Sequence, residues 1–153
     1  MLSKRTKYAL KAMIALADSH EGGPVLIADL AEREGIPKKF LELILLDLKN
    51  AGIVQSKKGK GGGYSLRRTP QEVKMGQIVR LFEGPLALLP CVSQTAYVQC
   101  SECRNESRCG LRLVMKDVRD ATAEILDNTS LADVLDRVAQ AIQAESRALN
   151  FEI

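Results

Sequence analysis

The chain contains no run approaching the ~18 consecutive apolar residues of a membrane-spanning helix, no internal repeat and no low-complexity tract. Those absences exclude a helical integral membrane protein, a solenoid and a flexible spacer. Histidine occurs once, at His20, so no nucleophile has an imidazole partner, and no paired carboxylates mark an acid–base site. The chain therefore reads as something other than an enzyme. His20, followed by Glu21 and Gly22, reads as a cap at the end of a helix rather than a metal ligand. Cysteine is missing before residue 91 and after residue 109.

What is present is the composition of a soluble globular protein: 153 residues, 46% hydrophobic and 27% charged. That length can bury a core without help from disulfides or a metal. The basic, partly apolar start is interrupted by Lys7, Lys11 and Asp18 and lacks a small-residue cleavage site, so it reads as an amphipathic helix rather than a signal peptide. The expected location is the cytoplasm, with no membrane partner. Charge is divided: residues 1–68 carry 13 Lys and Arg against 7 Asp and Glu, and residues 69–153 carry 9 against 12. Such asymmetry fits a polyanion-binding module followed by a module with another task.

Apolar periodicity predicts a helix over residues 3–17, stopped by Gly22-Gly23-Pro24, a short extended link at Val25-Leu26, and a second helix over 28–34 that ends at Gly35. A third opens at Ile36-Pro37 and buries Phe40, Leu41, Ile44, Leu45 and Leu48. Two short helices about a glycine turn, after a longer one, form a helix-turn-helix. Residues 53–56 and 64–66 read as strands flanking a glycine-rich turn, the wing of a winged helix. A fourth helix covers 75–82. Residues 91–110 have no apolar period and read as a loop. From Leu111 a long helix carries the stripe Leu111, Val114, Met115, Val118 and Ile125, for which a partner subunit is a natural cover. Ser130 to Asp133 has capping-box form and starts a last helix running to about Ala148. The expected fold is mainly α with a small β-hairpin wing, in three segments: 1–84 for DNA binding, 85–110 for a cysteine-rich sensor loop, and 111–153 for dimerisation and the C-terminal helix.

The wing, 56-SKKGKGGGYSL-66, sets Lys57, Lys58 and Lys60 on a turn whose glycines allow close backbone approach, as contact with nucleic-acid phosphates requires. It is not a nucleotide-binding loop, because Gly59-Lys60 is followed by Gly61 and a strand instead of a hydroxyl residue opening a helix. The third helix presents Lys38, Lys39 and Glu42 near its N-terminus, where a recognition helix meets phosphates and base edges. The lysines suit salt-dependent backbone contact and Glu42 can accept from a cytosine amino group.

The run 28-ADLAEREGIPKKFLELILLDLKNAGIVQSKKGKGGGYSL-66, together with 75-MGQIVRLFEG-84 and 109-CGLRLVMKDVRDATAEILDNTSLADVL-135, resembles the Rrf-two family of bacterial winged-helix regulators, the group of the IscR, NsrR and CymR types. The resemblance implies a homodimeric transcriptional regulator on an approximately palindromic double-stranded DNA operator. By position it places Lys38, Lys39, Glu42, Lys57, Lys58, Lys60 and Tyr64 at or near DNA.

The cysteines are spaced Cys91-x8-Cys100-x2-Cys103-x5-Cys109. Four within one loop is a metal signal, satisfied by an iron-sulfur cluster of two or four irons or by zinc, although only one C-x2-C is present. A thiol switch without metal is the other possibility, and a thiol-disulfide redox protein using Cys100 and Cys103 a more distant one. In the family's cluster-binding members three cysteines lie in this loop, and Cys91, Cys103 and Cys109 look like that trio. The family's fourth ligand is a histidine after the last cysteine or an acid on the partner's first helix, whereas this chain has Arg112 and Lys7-Tyr8 there. Cys100 is the remaining candidate for the fourth ligand, which makes the expected set Cys91, Cys100, Cys103 and Cys109. The sensed signal would be redox state, nitric oxide or iron-sulfur status.

Overall fold

A computed structural model describes residues 2–151. Met1 and residues 152–153, the outer ends of the first and third expected segments, lie outside the described residues. The first helix, α1 (Lys4–Asp18), is capped by Ser3, whose hydroxyl accepts from the Thr6 N–H at 3.2 Å. Its Ala9, Ala12, Met13 and Leu16 are fully buried at the centre of the molecule. Around them pack α2 (Ile27–Glu34), α3 (Lys38–Asn50), the wing, α4 (Met75–Glu83) and α6 (Leu131–Phe151).

The helix-turn-helix follows from its turn. Gly35 takes the left-handed conformation at φ 64°, which costs glycine little, and Pro37 stands immediately before α3. α3 buries Leu41, Ile44, Leu45 and Leu48, each contributing about 1.5–3 kcal/mol of apolar burial. Phe40, expected in that face, lies at its edge: it meets Tyr8 edge to face, centroids 5.7 Å apart, and remains partly exposed. His20 is not the cap of α1. Ser19 takes that position, and His20 opens a 3-10 turn (His20–Gly22) with its Nδ1 buried and without a hydrogen-bond partner among the described residues.

The wing is an antiparallel pair, β1 (Val54–Lys57) and β2 (Gly63–Leu66), in register from Val54 opposite Leu66 to Lys57 opposite Gly63. The link at Val25 proves to be part of it, because Val25 and Tyr64 exchange both backbone hydrogen bonds at 2.8 Å. β2 is thus paired on both sides. This geometry demands glycine at 63, where φ is 138° and a Cβ would stand 2.3 Å from the Val25 carbonyl oxygen.

Beyond the wing, α5 (Gly110–Asn128) leans on α4. Asp127 of α5 lies over Gly76 of α4, where a Cβ would meet its Oδ1 at 2.1 Å and displace the side chain. Arg80 holds Asp127 with a two-pronged pair, Nη2 to Oδ2 being 2.8 Å. The capping box at α6 is formed: the Ser130 N–H donates to Asp133 Oδ2 at 2.7 Å, and the Asp133 N–H donates to Ser130 Oγ at 3.1 Å. Leu131 then enters the core beside α1, fully buried. No residue of α5 is buried. No helix among the described residues is long and apolar enough to cross a membrane.

Candidate nucleic-acid interface and cysteine loop

Lys38 and Lys39 occupy the first turn of α3, exposed, and Glu42 is exposed one turn further on. The unpaired N–H groups at a helix start favour anions such as phosphate. Lys57 ends β1, and Lys58 and Lys60 lie on the turn beyond it, all three exposed. Wing and helix are joined where Lys49 Nζ donates to Ser56 Oγ at 2.7 Å. Tyr64 differs from the lysines: its ring is half-buried against the core and its backbone pairs with Val25.

The loop between α4 and α5 brings all four cysteines to the wall of one cavity of about 350 Å³, with Leu89, Glu106 and Arg112 also lining it. Cys91 is buried in a short 3-10 turn (Pro90–Val92), whereas Cys100, Cys103 and Cys109 are half-buried. The Cys103 N–H donates to the Cys100 carbonyl at 3.3 Å. Desolvation, and then a hydrogen bond with Cys109, push the Cys103 thiol up from its ordinary value. Cys109 is the N-cap of α5, at the positive end of a long helix dipole, a place that suits an anionic ligand.

All four thiols are free, and the soft donor set fits an iron-sulfur cluster or zinc. Among the described residues no three metal-ligating side chains are already gathered at ligating distance, so binding would draw the thiols inward from the cavity walls. Two arginines absent from the expected set hold the loop's backbone. Arg112 Nε donates to the Cys91 carbonyl at 3.3 Å, and Arg119 donates to the Val92 carbonyl. Glu106 stands 4.0 Å from Arg112 and accepts from the Tyr97 hydroxyl at 2.8 and 2.9 Å, which raises the Tyr97 pKa. The available signal was their spacing: residues 112 and 119 lie two turns apart on one face of the helix that follows the cysteines.

The family model described as "Rrf2: Iron-dependent Transcriptional regulator" matches residues 2–137. A relative from Rhodobacter capsulatus, named as an HTH-type transcriptional regulator that is rrf2-like, is 43% identical over 138 residues, which cover 88% of this chain and 92% of the relative. Among solved structures, CymR of B. subtilis, titled the global cysteine regulator, superposes with a TM-score of 0.75 at 31% identity, over 90% of this chain and 97% of that one. IscR of T. potens superposes with a TM-score of 0.73, also at 31% identity, over 92% and 90%. With the winged helix, the cysteine loop and the long helix all falling inside that match, the chain is a transcriptional regulator belonging to the Rrf2 family.

Proposed function

We propose that the chain is a homodimeric DNA-binding regulator whose affinity for an approximately palindromic operator depends on an iron-sulfur cluster held by Cys91, Cys100, Cys103 and Cys109. The observation that carries this reading is four free thiols on the wall of one cavity at the start of α5. The iron-dependent description of the family points the same way. A bound cluster would supply iron that responds to oxidants, nitric oxide or iron supply. The protein's own contribution is the connection: Arg112 and Arg119 tie the loop backbone to α5, and Arg80 and Asp127 tie α5 to α4. Loop state thereby biases how α4 and α5 stand relative to the wings, a shift of population between two arrangements. Lys38, Lys39, Glu42, Lys57, Lys58, Lys60 and Tyr64 meet the operator.

Absorbance of anaerobically purified protein, with iron, sulfide and zinc assays, tests the reading. Bands between ~320 and ~420 nm with matched iron and sulfide are expected, since thiolate-bound iron is coloured and zinc is not. Cys100→Ala is expected to lose or alter those bands; an unchanged spectrum would remove Cys100 from the ligand set. Binding to operator DNA is expected to weaken steeply with salt. A second reading, a thiol switch, is favoured by four free thiols lining one cavity, where two can meet without a metal. Colourless, metal-free protein losing two thiols on mild oxidation would establish it.

A further inference from the structure

The outward face of α3 is apolar at its centre, where packing gives it no reason to be. With Leu41, Ile44, Leu45 and Leu48 turned inward, 3.6 residues per turn put Lys39, Leu43, Leu46 and Asn50 on the opposite line. Leu43 is 58% exposed and Leu46 50%. Isolated surface leucines are ordinary, but these stand one turn apart on the surface that the helix offers outward. Lys38 and Lys39 border them on one side, and the lysine-bearing wing is fastened to the other end of the helix through Lys49 and Ser56. A cationic border fits a polyanion. The centre fits the one apolar group that a base pair shows in the major groove, the C5 methyl of thymine. The first two turns of α3, from Lys38 to Leu45, contain no arginine, asparagine or glutamine, so beyond the two lysines, which can reach guanine, no side chain there pairs with two atoms of a base. Readout beyond the lysines falls to Glu42 and its neighbour Leu43.

We propose that Leu43, extended by Leu46, is a specificity-determining residue that reads thymine methyl groups in the operator. The inference rests on the DNA-binding reading above and deepens it. Full-length protein purified anaerobically is used to select duplexes from a random pool, and the selected duplex is remade with each thymine in turn replaced by deoxyuridine, which removes only the methyl. Affinities are measured by fluorescence anisotropy at one salt concentration. The expected result is a loss of about fourfold at one thymine in each half-site, the worth of one buried methyl. Leu43→Ala, an exposed position that the fold does not need, is expected to bind the thymine and uracil duplexes alike while keeping the wild-type salt slope. If no duplex is selected, the DNA-binding reading itself fails and this one with it. If a duplex is selected but no thymine is sensitive, or if Leu43→Ala still discriminates against uracil, the inference alone is overturned. Leu43→Ala with every affinity unchanged would also overturn it and leave the face to a protein partner.

Discussion

At the scale of single residues, the wing depends on Gly63 more than on any of its lysines. The lysines are exposed and replaceable as far as folding goes, whereas Gly63 combines a φ of 138° with a backbone carbonyl 2.3 Å from where a Cβ would sit. Backbone atoms cannot rotate aside as a side-chain tip can. Gly63→Ala should therefore cost about 1–3 kcal/mol from the strained conformation and loosen the pairing of Val25 with Tyr64. A urea denaturation midpoint reads the first effect, and faster amide exchange at Val25 and Tyr64 reads the second. Stability and exchange matching wild type would show that the wing does not lean on this contact. Gly62 and Gly63 were legible in the sequence only as members of a glycine run. Gly62 is crowded by the Lys57 and Gly59 carbonyls of its own turn, whereas the carbonyl that faces Gly63 belongs to Val25, some forty residues earlier in the chain.

At the scale of elements, α4 lies between the cysteine loop with α5 and the helices of the helix-turn-helix, and polar contacts join it to both sides. Toward the loop it carries Arg80 against Asp127 of α5; toward α1 it carries Glu83, which accepts from the Ser3 N–H at 2.6 Å and from the Thr6 hydroxyl. α1 in turn pairs Arg5 with Asp47 of α3. Hydrogen bonds from Thr6 and Ser3 pull the Glu83 carboxyl from its ordinary 4.5 down to about 2. A folded-state pKa below the unfolded one adds stability that is fully present above pH 4.5 and is lost as pH falls toward 2. Glu83→Gln should flatten that part of the melting-temperature curve between pH 5 and about 2, and an unflattened curve would mean that Glu83 is not the group responsible. The helices themselves, and the hairpin, were legible from period and turn residues to within a residue or two, except that the last helix runs three residues past the expected Ala148 to Phe151. The single-residue pairings of Val25 with Tyr64 and of Lys74 with Ser130 were not, because one extended residue has no period to detect. That the four cysteines share one loop, and that the lysines carry the charge of α3 and the wing, was legible by clustering and charge. Arg112 and Arg119 were visible only as part of a charged face, since nothing local says that a carbonyl waits opposite.

At the scale of the whole molecule, the balance of apolar burial points outward from α5. α5, a helix of 19 residues, leans on α4 and the loop but fully buries none of its residues. Leu111, Val114, Val118 and Ile125 remain on its surface, Ile125 at 62% exposure, and Val138 and Ile142 of α6 are exposed as well. Patches of this kind mark an interface, and a second copy of α5 crossing the first would cover the stripe in the manner of a two-helix seam. A palindromic operator requires that symmetry, because each winged helix reads one half-site. Replacing Val118 with Asp and Ile125 with Glu together sets two charges in the seam while leaving the buried core around α1 intact. Sedimentation should then show monomers that melt with a preserved helical signal. Operator affinity should fall by at least ~100-fold, since two linked half-sites lose their effective concentration, while affinity for a single half-site stays close to wild type. A double variant that still sediments as a dimer would move the interface off α5, and the exposed stripe would then need another cover.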